Sequence, residues 1–281
     1  MDITIASGKG GTGKTTFSTS LSAYLSQHTT VALLDCDVEE PDANIFLKVP
    51  IERRYNVTVL IPEVDMDACT GCGRCQRACQ YNAIVLIKSK PLVLPELCHS
   101  CGGCYLACSD RAIHEIERTV GIVETGAQGN ISYAGGILNI GEHMATPLID
   151  EVKKEMYSAN FRIIDSPPGS SCPVVHSMEG SDFIILVVES TPFGFHDAAI
   201  AYNVAQSLSI PCAVVVNNLI QNYEPLFSFI QKEDIPLLGV IPHDINIAKS
   251  ISEGNSIEYM LSHYKALFDS VSNYISNKVI S

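Results

Sequence analysis

The chain has 281 residues, 46% of them apolar and 17% charged, enough for one large α/β domain plus a small module. Its 31 acidic and 18 basic side chains leave a formal net charge of −13, which repels phosphate backbones and anionic headgroups and argues against nucleic acid as a partner. No apolar run reaches the roughly 18 residues of a spanning helix, and the opening MDITIAS lacks the basic and apolar regions of a signal peptide; the expectation is a cytoplasmic protein without stable membrane insertion.

The first segment reads as strand, glycine loop and helix: Asp2–Ala6, then Ser7–Gly13, then Lys14 to about Gln27. A second strand, Val31–Leu34, runs into an acidic loop that starts at Asp35. From Pro62 to Val120 the texture changes to short connections, little helical periodicity and a concentration of cysteines. Strand-like stretches follow at Gly121–Glu124 and Asn130–Tyr133, then a helix over Pro147–Ala159 and a buried strand, Phe161–Ile164, ending in Asp165. Three further apolar runs, Phe183–Val188, Ala213–Val216 and Leu237–Ile241, alternate with helical patterns at Asp197–Leu208 and Pro225–Lys232. A helix over about Ser256–Asn277 closes the chain. Continuous β-branched runs separated by helices imply an α/β fold with a mostly parallel sheet covered on both faces.

Eleven cysteines in a reducing compartment do not read as a disulfide framework, so they are expected to be metal ligands or buried thiols. Eight of them form the run C-x₂-C-x₂-C-x₃-C twice, at Cys69/Cys72/Cys75/Cys79 and, 29 residues on, at Cys98/Cys101/Cys104/Cys108. The same shift carries Ala83-Ile84 onto Ala112-Ile113, and nothing outside the segment continues the period. The segment therefore reads as a self-contained duplicated unit over 63–120, inserted in a larger domain made of 1–62 and 121–281. This spacing is the bacterial ferredoxin run, whose fourth cysteine ligates the other cluster. It implies two [4Fe–4S] clusters, one on Cys69, Cys72, Cys75 and Cys108, the other on Cys98, Cys101, Cys104 and Cys79. The competing reading is zinc, which also takes four cysteines but typically from two knuckles separated by a longer loop. The proline usual after each fourth cysteine is replaced by Gln80 and Ser109. Cys36, Cys172 and Cys212 remain; Cys36 and Cys212 read as packing residues.

Gly8-Lys9-Gly10-Gly11-Thr12-Gly13-Lys14-Thr15, followed by Thr16, fits G-x-x-x-x-G-K-[ST] between a strand and a helix. Glycines let backbone N–H groups wrap phosphates, and the helix N-terminus adds a positive dipole end. Lys14 is expected to reach the β- and γ-phosphates of ATP, and Thr15 to ligate Mg²⁺.

Lys9 makes the loop a deviant version, and K-G-G-T-G-K-T-T resembles the MinD, ParA, Mrp and nitrogenase iron-protein group of ATPases, in particular its members with an inserted ferredoxin domain. The resemblance covers residues 1–62 and 121–281. It implies slow or partner-stimulated ATP hydrolysis. It also implies a nucleotide-dependent homodimer, or dimer with a paralogue, in which Lys9 reaches the partner's nucleotide. In Leu33-Leu34-Asp35-Cys36-Asp37, Asp37 corresponds to the aspartate that orients the attacking water, with Asp35 near the metal. Ile163-Ile164-Asp165-Ser166-Pro167-Pro168-Gly169 resembles the Walker B and switch II segment, with Asp165 holding Mg²⁺ through water and Gly169 sensing the γ-phosphate. Asn217 takes the place of the adenine-reading asparagine; read by itself it is a strand-ending cap. Cys172 follows switch II, where the nitrogenase iron protein carries a bridging-cluster ligand, but Gly121–Tyr157 lacks the second cysteine such a cluster needs. The functions implied are ATP-gated electron transfer to a redox partner, iron–sulfur or metallocofactor assembly with a recipient protein, or MinD-like spatial organisation with structural clusters.

Overall fold

A strand apolar on both faces is stable only in the middle of a sheet with helices on either side, and the β-branched runs of this chain take that place. The computed structural model describes residues 1–155 and 158–278. In chain order the elements begin with β1 (Asp2–Ala6), α1 (Lys14–Leu25), β2 (Val31–Asp35), α2 (Ala43–Leu47) and β3 (Ile51–Val64). Then come α3 (Arg74–Ala78), β4 (Ile84–Ile87), β5 (Lys90–Val93), a 3₁₀ turn (Pro95–Leu97), α4 (Gly103–Ala107), β6 (Ile113–Gln128) and β7 (Ile131–Leu138). After α5 (Thr146–Lys153) follow β8 (Phe161–Asp165), α6 (Cys172–Met178), β9 (Phe183–Glu189), α7 (Pro192–Ser207) and β10 (Cys212–Leu219). The last elements are α8 (Glu224–Lys232), β11 (Leu237–Pro242), α9 (Ile245–Glu253), α10 (Ser256–His263) and α11 (Lys265–Lys278).

The chain divides into two compact units, one of residues 1–55, 123–137 and 149–281, the other of 56–122 and 138–148. The boundaries fall inside β3, β6 and α5 and one residue before the end of β7. A nine-stranded sheet runs in the order β11-β10-β9-β1-β8-β2-β7-β6-β3. From β11 to β7 every neighbouring pair is parallel. In the first unit, one face carries a core of Ile3, Ile5, Phe17, Leu21, Leu33, Ile163, Phe183 and Phe268. The other face carries Ala6, Val174, Met178, Ile184, Leu186, Val188, Val214 and Val216. Strand alternation distributes neighbouring residues between the two cores, so β1 and β9 contribute to both.

The terminal helix pattern is two helices, α10 and α11, and their inward side chains are sheet core: Leu267, Phe268, Val271 and Ile275 are buried. Phe268 stacks on Phe17 and Tyr24 of α1, at ring-centroid distances of 5.8 and 5.9 Å. Burying one such ring contributes roughly 1.5–3 kcal/mol, so this face of α11 is committed to the fold.

Several boundaries differ from the sequence reading. The stretches at 121–124 and 130–133 belong to the longer β6 and β7, and β3 was not anticipated at all. Its alternation is nonetheless in the sequence: Val57, Val59 and Ile61 are buried, and Arg54, Asn56, Thr58 and Leu60 are not. The helix expected over 147–159 ends at Lys153; Met156 and Tyr157 lie outside the described residues. The helix α9 has no counterpart in the sequence reading.

In the second unit the two cysteine repeats have matching backbones. Helix α3 maps onto α4, and β4 onto the start of β6, by the 29-residue shift found in the sequence. Left-handed residues recur at the same places: Gly71 and Ser100 (φ 72 and 52), Gly73 and Gly102 (φ 73 and 68), Asn82 and Arg111 (φ 56 and 53). After that the halves diverge. The strand β4 turns back through Lys88-Ser89, both left-handed as a two-residue hairpin requires, to pair with β5. The strand β6 runs straight on.

Candidate functional site

In the first unit, β1 ends at the loop Ser7–Gly13, which feeds the first turn of α1. Three neighbours fix this loop. A Cβ on Gly8 would lie 2.4 Å from the Asp197 backbone oxygen, and one on Gly13 would lie 2.3 Å from Asn217 Nδ2. Gly13 also sits at φ 85, a conformation that side chains disfavour. Asn217, near the end of β10, donates from Nδ2 to Thr12 O (2.6 Å), and Gly169 N donates to Ser7 O (3.0 Å).

Lys9, Gly10, Gly11, Thr12, Gly13, Lys14, Thr15 and Thr16 line one cleft of about 300 Å³, together with Asp37, Glu40 and Asp42. Gly8 is not among its walls; it packs against α7. A second cleft, of about 290 Å³, is lined by Gly11, Gly13, Thr16, Asn217, Asn218 and His243, with apolar side chains such as Ile245 and Ile247. Phosphate-sized polar space and an apolar slot thus meet at the same glycines.

Parallel register places Asp35 of β2 beside Asp165 of β8, both wholly buried. Lys14 Nζ donates to Asp165 Oδ1 at 2.7 Å and lies 3.9 Å from Asp37 Oδ2. Burial pulls the Lys14 ammonium down, but the charge and hydrogen bond of Asp165, with Asp37 and Asp35 behind it, outweigh burial, so Lys14 is held above its ordinary value. Asp165 Oδ2 is buried without a hydrogen-bond partner. A buried carboxylate oxygen left unpaired is costly, and this one fits a hydrated Mg²⁺, with the Thr15 hydroxyl as the other expected ligand.

Asp35 is differently employed. Its Oδ1 accepts from Asp37 N (3.2 Å) and its Oδ2 from Ala43 N (3.0 Å), so it braces the acidic loop and the start of α2. Burial, then the charge of Asp165, raises its carboxyl well above the usual range. Burial also raises Asp37, against the pull of Lys14 and with Asp165 adding, to about 6. Asp42 moves the same way, again by burial first and Asp165 next.

Lys9 does not point away from its own chain: its Nζ pairs with Glu189 Oε2 at 2.6 Å. Glu189 Oε1 accepts from Asn218 Nδ2 (3.2 Å), and Asn218 Oδ1 shares a hydrogen bond with His243 Nδ1 (2.7 Å). Glu189, Glu40 and Asp42 were absent from the sequence expectation. The acidic run Asp35–Asp42 was a visible signal for two of them; a glutamate at a strand end is too common to signal anything.

The second unit holds two cavities. One is lined by Cys69, Cys72, Cys75 and Cys108, with Val64, Leu86, Pro91 and Ile113. The other is lined by Cys98, Cys101, Cys104 and Cys79, with Tyr81, His99, Ser100 and Glu115. All eight thiols are free. Each cavity takes three cysteines from one repeat and the fourth from the other. The two fourth cysteines are also matched in their hydrogen bonds: Ala83 N donates to Cys79 Sγ and Ala112 N to Cys108 Sγ, both at 3.3 Å. Among the described residues no three His, Cys, Asp or Glu side chains converge closely enough to hold a single metal ion; the thiols surround a space instead. Four thiols around a cavity, some with backbone N–H groups aimed at the sulfur, are a donor set that fits a cubane. Burial pushes Cys75 and Cys104 up, Cys104 to about 11, so thiolate there needs a compensating cation. Cys36 and Cys212 are buried packing residues, and Cys172 is exposed at the start of α6.

The family model of the CobQ/CobB/MinD/ParA nucleotide binding domain matches residues 3–257. Uncharacterized protein MJ0578 of Methanocaldococcus jannaschii is 36% identical over 200 residues, which cover 70% of this chain and 70% of that protein. Uncharacterized protein MJ0579 of the same organism is 28% identical over 246 residues, 77% of this chain and 80% of that one. The septum site-determining protein MinD of Pyrococcus horikoshii, solved with Mg-ADP, superposes with a TM-score of 0.61 at 19% identity, covering 100% of this chain and 97% of that one. With its phosphate loop, parallel sheet and Walker-type aspartate in that order, the chain belongs to the CobQ/CobB/MinD/ParA family of P-loop nucleotide-binding proteins.

Proposed function

We propose that this protein is an ATP-hydrolysing iron–sulfur protein, in which a deviant P-loop domain works with a cysteine module that carries two [4Fe–4S] clusters and passes electrons to a protein partner. The observation that carries the reading is the pair of cavities, each lined by four cysteines drawn three-to-one from the two repeats. The clusters supply one-electron chemistry when bound; the rest is work for the chain's own residues.

In the nucleotide unit, the triphosphate would replace Asp165 as the partner of Lys14, and the Asp165 carboxylate and the Thr15 hydroxyl are the residues that would hold Mg²⁺, which would neutralise charge on the phosphates. Asp37, ionised at neutral pH, accepts a hydrogen bond from the attacking water. The water oxygen bonds to the γ-phosphorus, the bond to the β–γ bridging oxygen breaks, and ADP and phosphate leave. Asn217 and His243 border the slot for the base. Lys9 acts on the nucleotide of a second subunit, a copy of this chain or a paralogue, which makes turnover slow until the subunits close.

Cluster assembly or delivery is the second reading, and it has an observation of its own. Cys72 and Cys101, one at each cavity, are exposed, so each site is open to solvent at a ligand. Spatial organisation of the MinD/ParA kind, with structural clusters, is the third reading, supported by the family; Leu267, Phe268, Val271 and Ile275 of α11 are buried and are committed to the core.

The deciding experiment is anaerobic reconstitution followed by iron and sulfide analysis, ATP turnover, and cluster potentials with and without ATP. Electron transfer predicts about eight irons per chain retained through turnover and a potential that responds to nucleotide. Iron lost stoichiometrically to an apo-acceptor favours delivery, and zinc in place of iron sinks both.

A further inference from the structure

We infer that Ser100 is a tuning residue of the second cysteine site, its hydroxyl donating a hydrogen bond to a sulfur of the group held by Cys79, Cys98, Cys101 and Cys104. The inference rests on the iron–sulfur reading above and deepens it.

Three observations converge. Ser100 lines that cavity, between two of its cysteines in sequence. Its Oγ is buried and has no hydrogen-bond partner. Its backbone is left-handed, φ 52, at the position where the first repeat has Gly71 at φ 72. A side chain in that conformation has a steric cost that glycine avoids, so a serine kept there calls for an explanation beyond the turn itself. A hydroxyl sealed from solvent without a partner is a second cost. One acceptor at the cavity would relieve it, and the sulfurs of a cubane are such acceptors.

The hairpin explains why only the second repeat can carry a side chain at this position. At Gly71 an added Cβ would lie 2.4 Å from Ser89 O, in the turn between β4 and β5. The second repeat has no such turn, because β6 runs on through the matching residues, and position 100 is therefore open to a side chain. On the first-repeat loop the hydroxyl of Thr70 donates to Asp110 and also reaches the Cys72 sulfur, outside the position that Ser100 occupies in the second repeat.

The functional consequence follows from charge. Reduction by an external low-potential donor adds one electron to the cluster, and a donor hydrogen bond to sulfur stabilises the more negative reduced form. Ser100 therefore raises the potential of its own site and leaves the other unmoved.

The test is an anaerobic potentiometric titration of the reconstituted full chain, followed by electron paramagnetic resonance, for the parent, Ser100→Gly and Ser100→Ala. Glycine suits the left-handed backbone, so folding is protected in that variant. The expected result is one wave moved about tenfold toward the oxidised form at fixed poise, about 59 mV for one electron, with the other wave unmoved. Two unmoved waves, or two waves moved together, overturn the inference while leaving the iron–sulfur reading standing. A parent protein that takes up no clusters overturns both.

Discussion

Lys9 and Glu189 form an ion pair within one chain, Nζ to Oε2 at 2.6 Å. The lysine that the deviant loop would offer to a second subunit is thus held at home, and its holder is tied through Asn218 to His243 at the second cleft. Lys9 is 36% exposed, so the pair is worth at most about 1 kcal/mol. Glu189→Gln is expected to release Lys9 and tighten ATP-dependent association up to about fivefold, measured by sedimentation with non-hydrolysable nucleotide. Lys9→Ala should abolish that association. An unchanged dimer constant in both variants would mean that the pair is incidental.

Lys14 and Asp165 are a buried pair, and removing one partner leaves the other charge stranded. Lys14→Met is expected to destabilise the nucleotide-free protein by about 3 kcal/mol as well as to end hydrolysis. Asp165→Asn in the same chain should return most of the stability and none of the activity. If chemical denaturation finds the single variant as stable as the parent, the pair is not the restraint the geometry suggests.

Asp37, raised by burial to about 6 in the folded protein, binds its proton there while the unfolded chain, near the ordinary carboxylate value, has already released it. Between about pH 4 and 6 the folded state holds more protons, so its contribution to stability falls as pH rises through that window and is level above it. The ATPase rate should do the opposite, climbing through about pH 6 as the carboxylate forms. A pH–rate profile flat from 5 to 8 would count against Asp37 as the residue that orients water.

Cys79→Ser and Cys108→Ser each remove a ligand from the cavity of the opposite repeat. Each variant should keep about four irons and lose one of the two magnetic signals, a different one in each case. Loss of the same signal from both would mean that each repeat closes its own site.

Much of this arrangement was legible in the sequence because it rests on spacing. Strand β1 was read at its observed bounds, and the strands β2, β8, β9, β10 and β11 were found within a few residues, since each is a short, largely apolar run without the 3.6-residue period of an amphipathic helix. The 29-residue shift marks the repeat, and the ferredoxin spacing gives the three-to-one sharing of its cysteines. What escaped is what depends on partners distant in the chain. The strand β3 has its alternation diluted by Arg53, Arg54 and Glu63, and Glu189 gains meaning only when β9 ends beside the loop that carries Lys9. Nothing in the sequence singles out Ser100; its burial and its turn geometry exist only in three dimensions.

The loop after β1 is held on three sides by the chain itself, through hydrogen bonds with Asn217 and Gly169 and close packing of Gly8 against Asp197. The cradle is therefore cast in advance, and little of the affinity for an incoming triphosphate is spent on ordering it. The conformational work that nucleotide can do is left to the carboxylates around Lys14 and to the tether on Lys9, which are the parts whose partners must change.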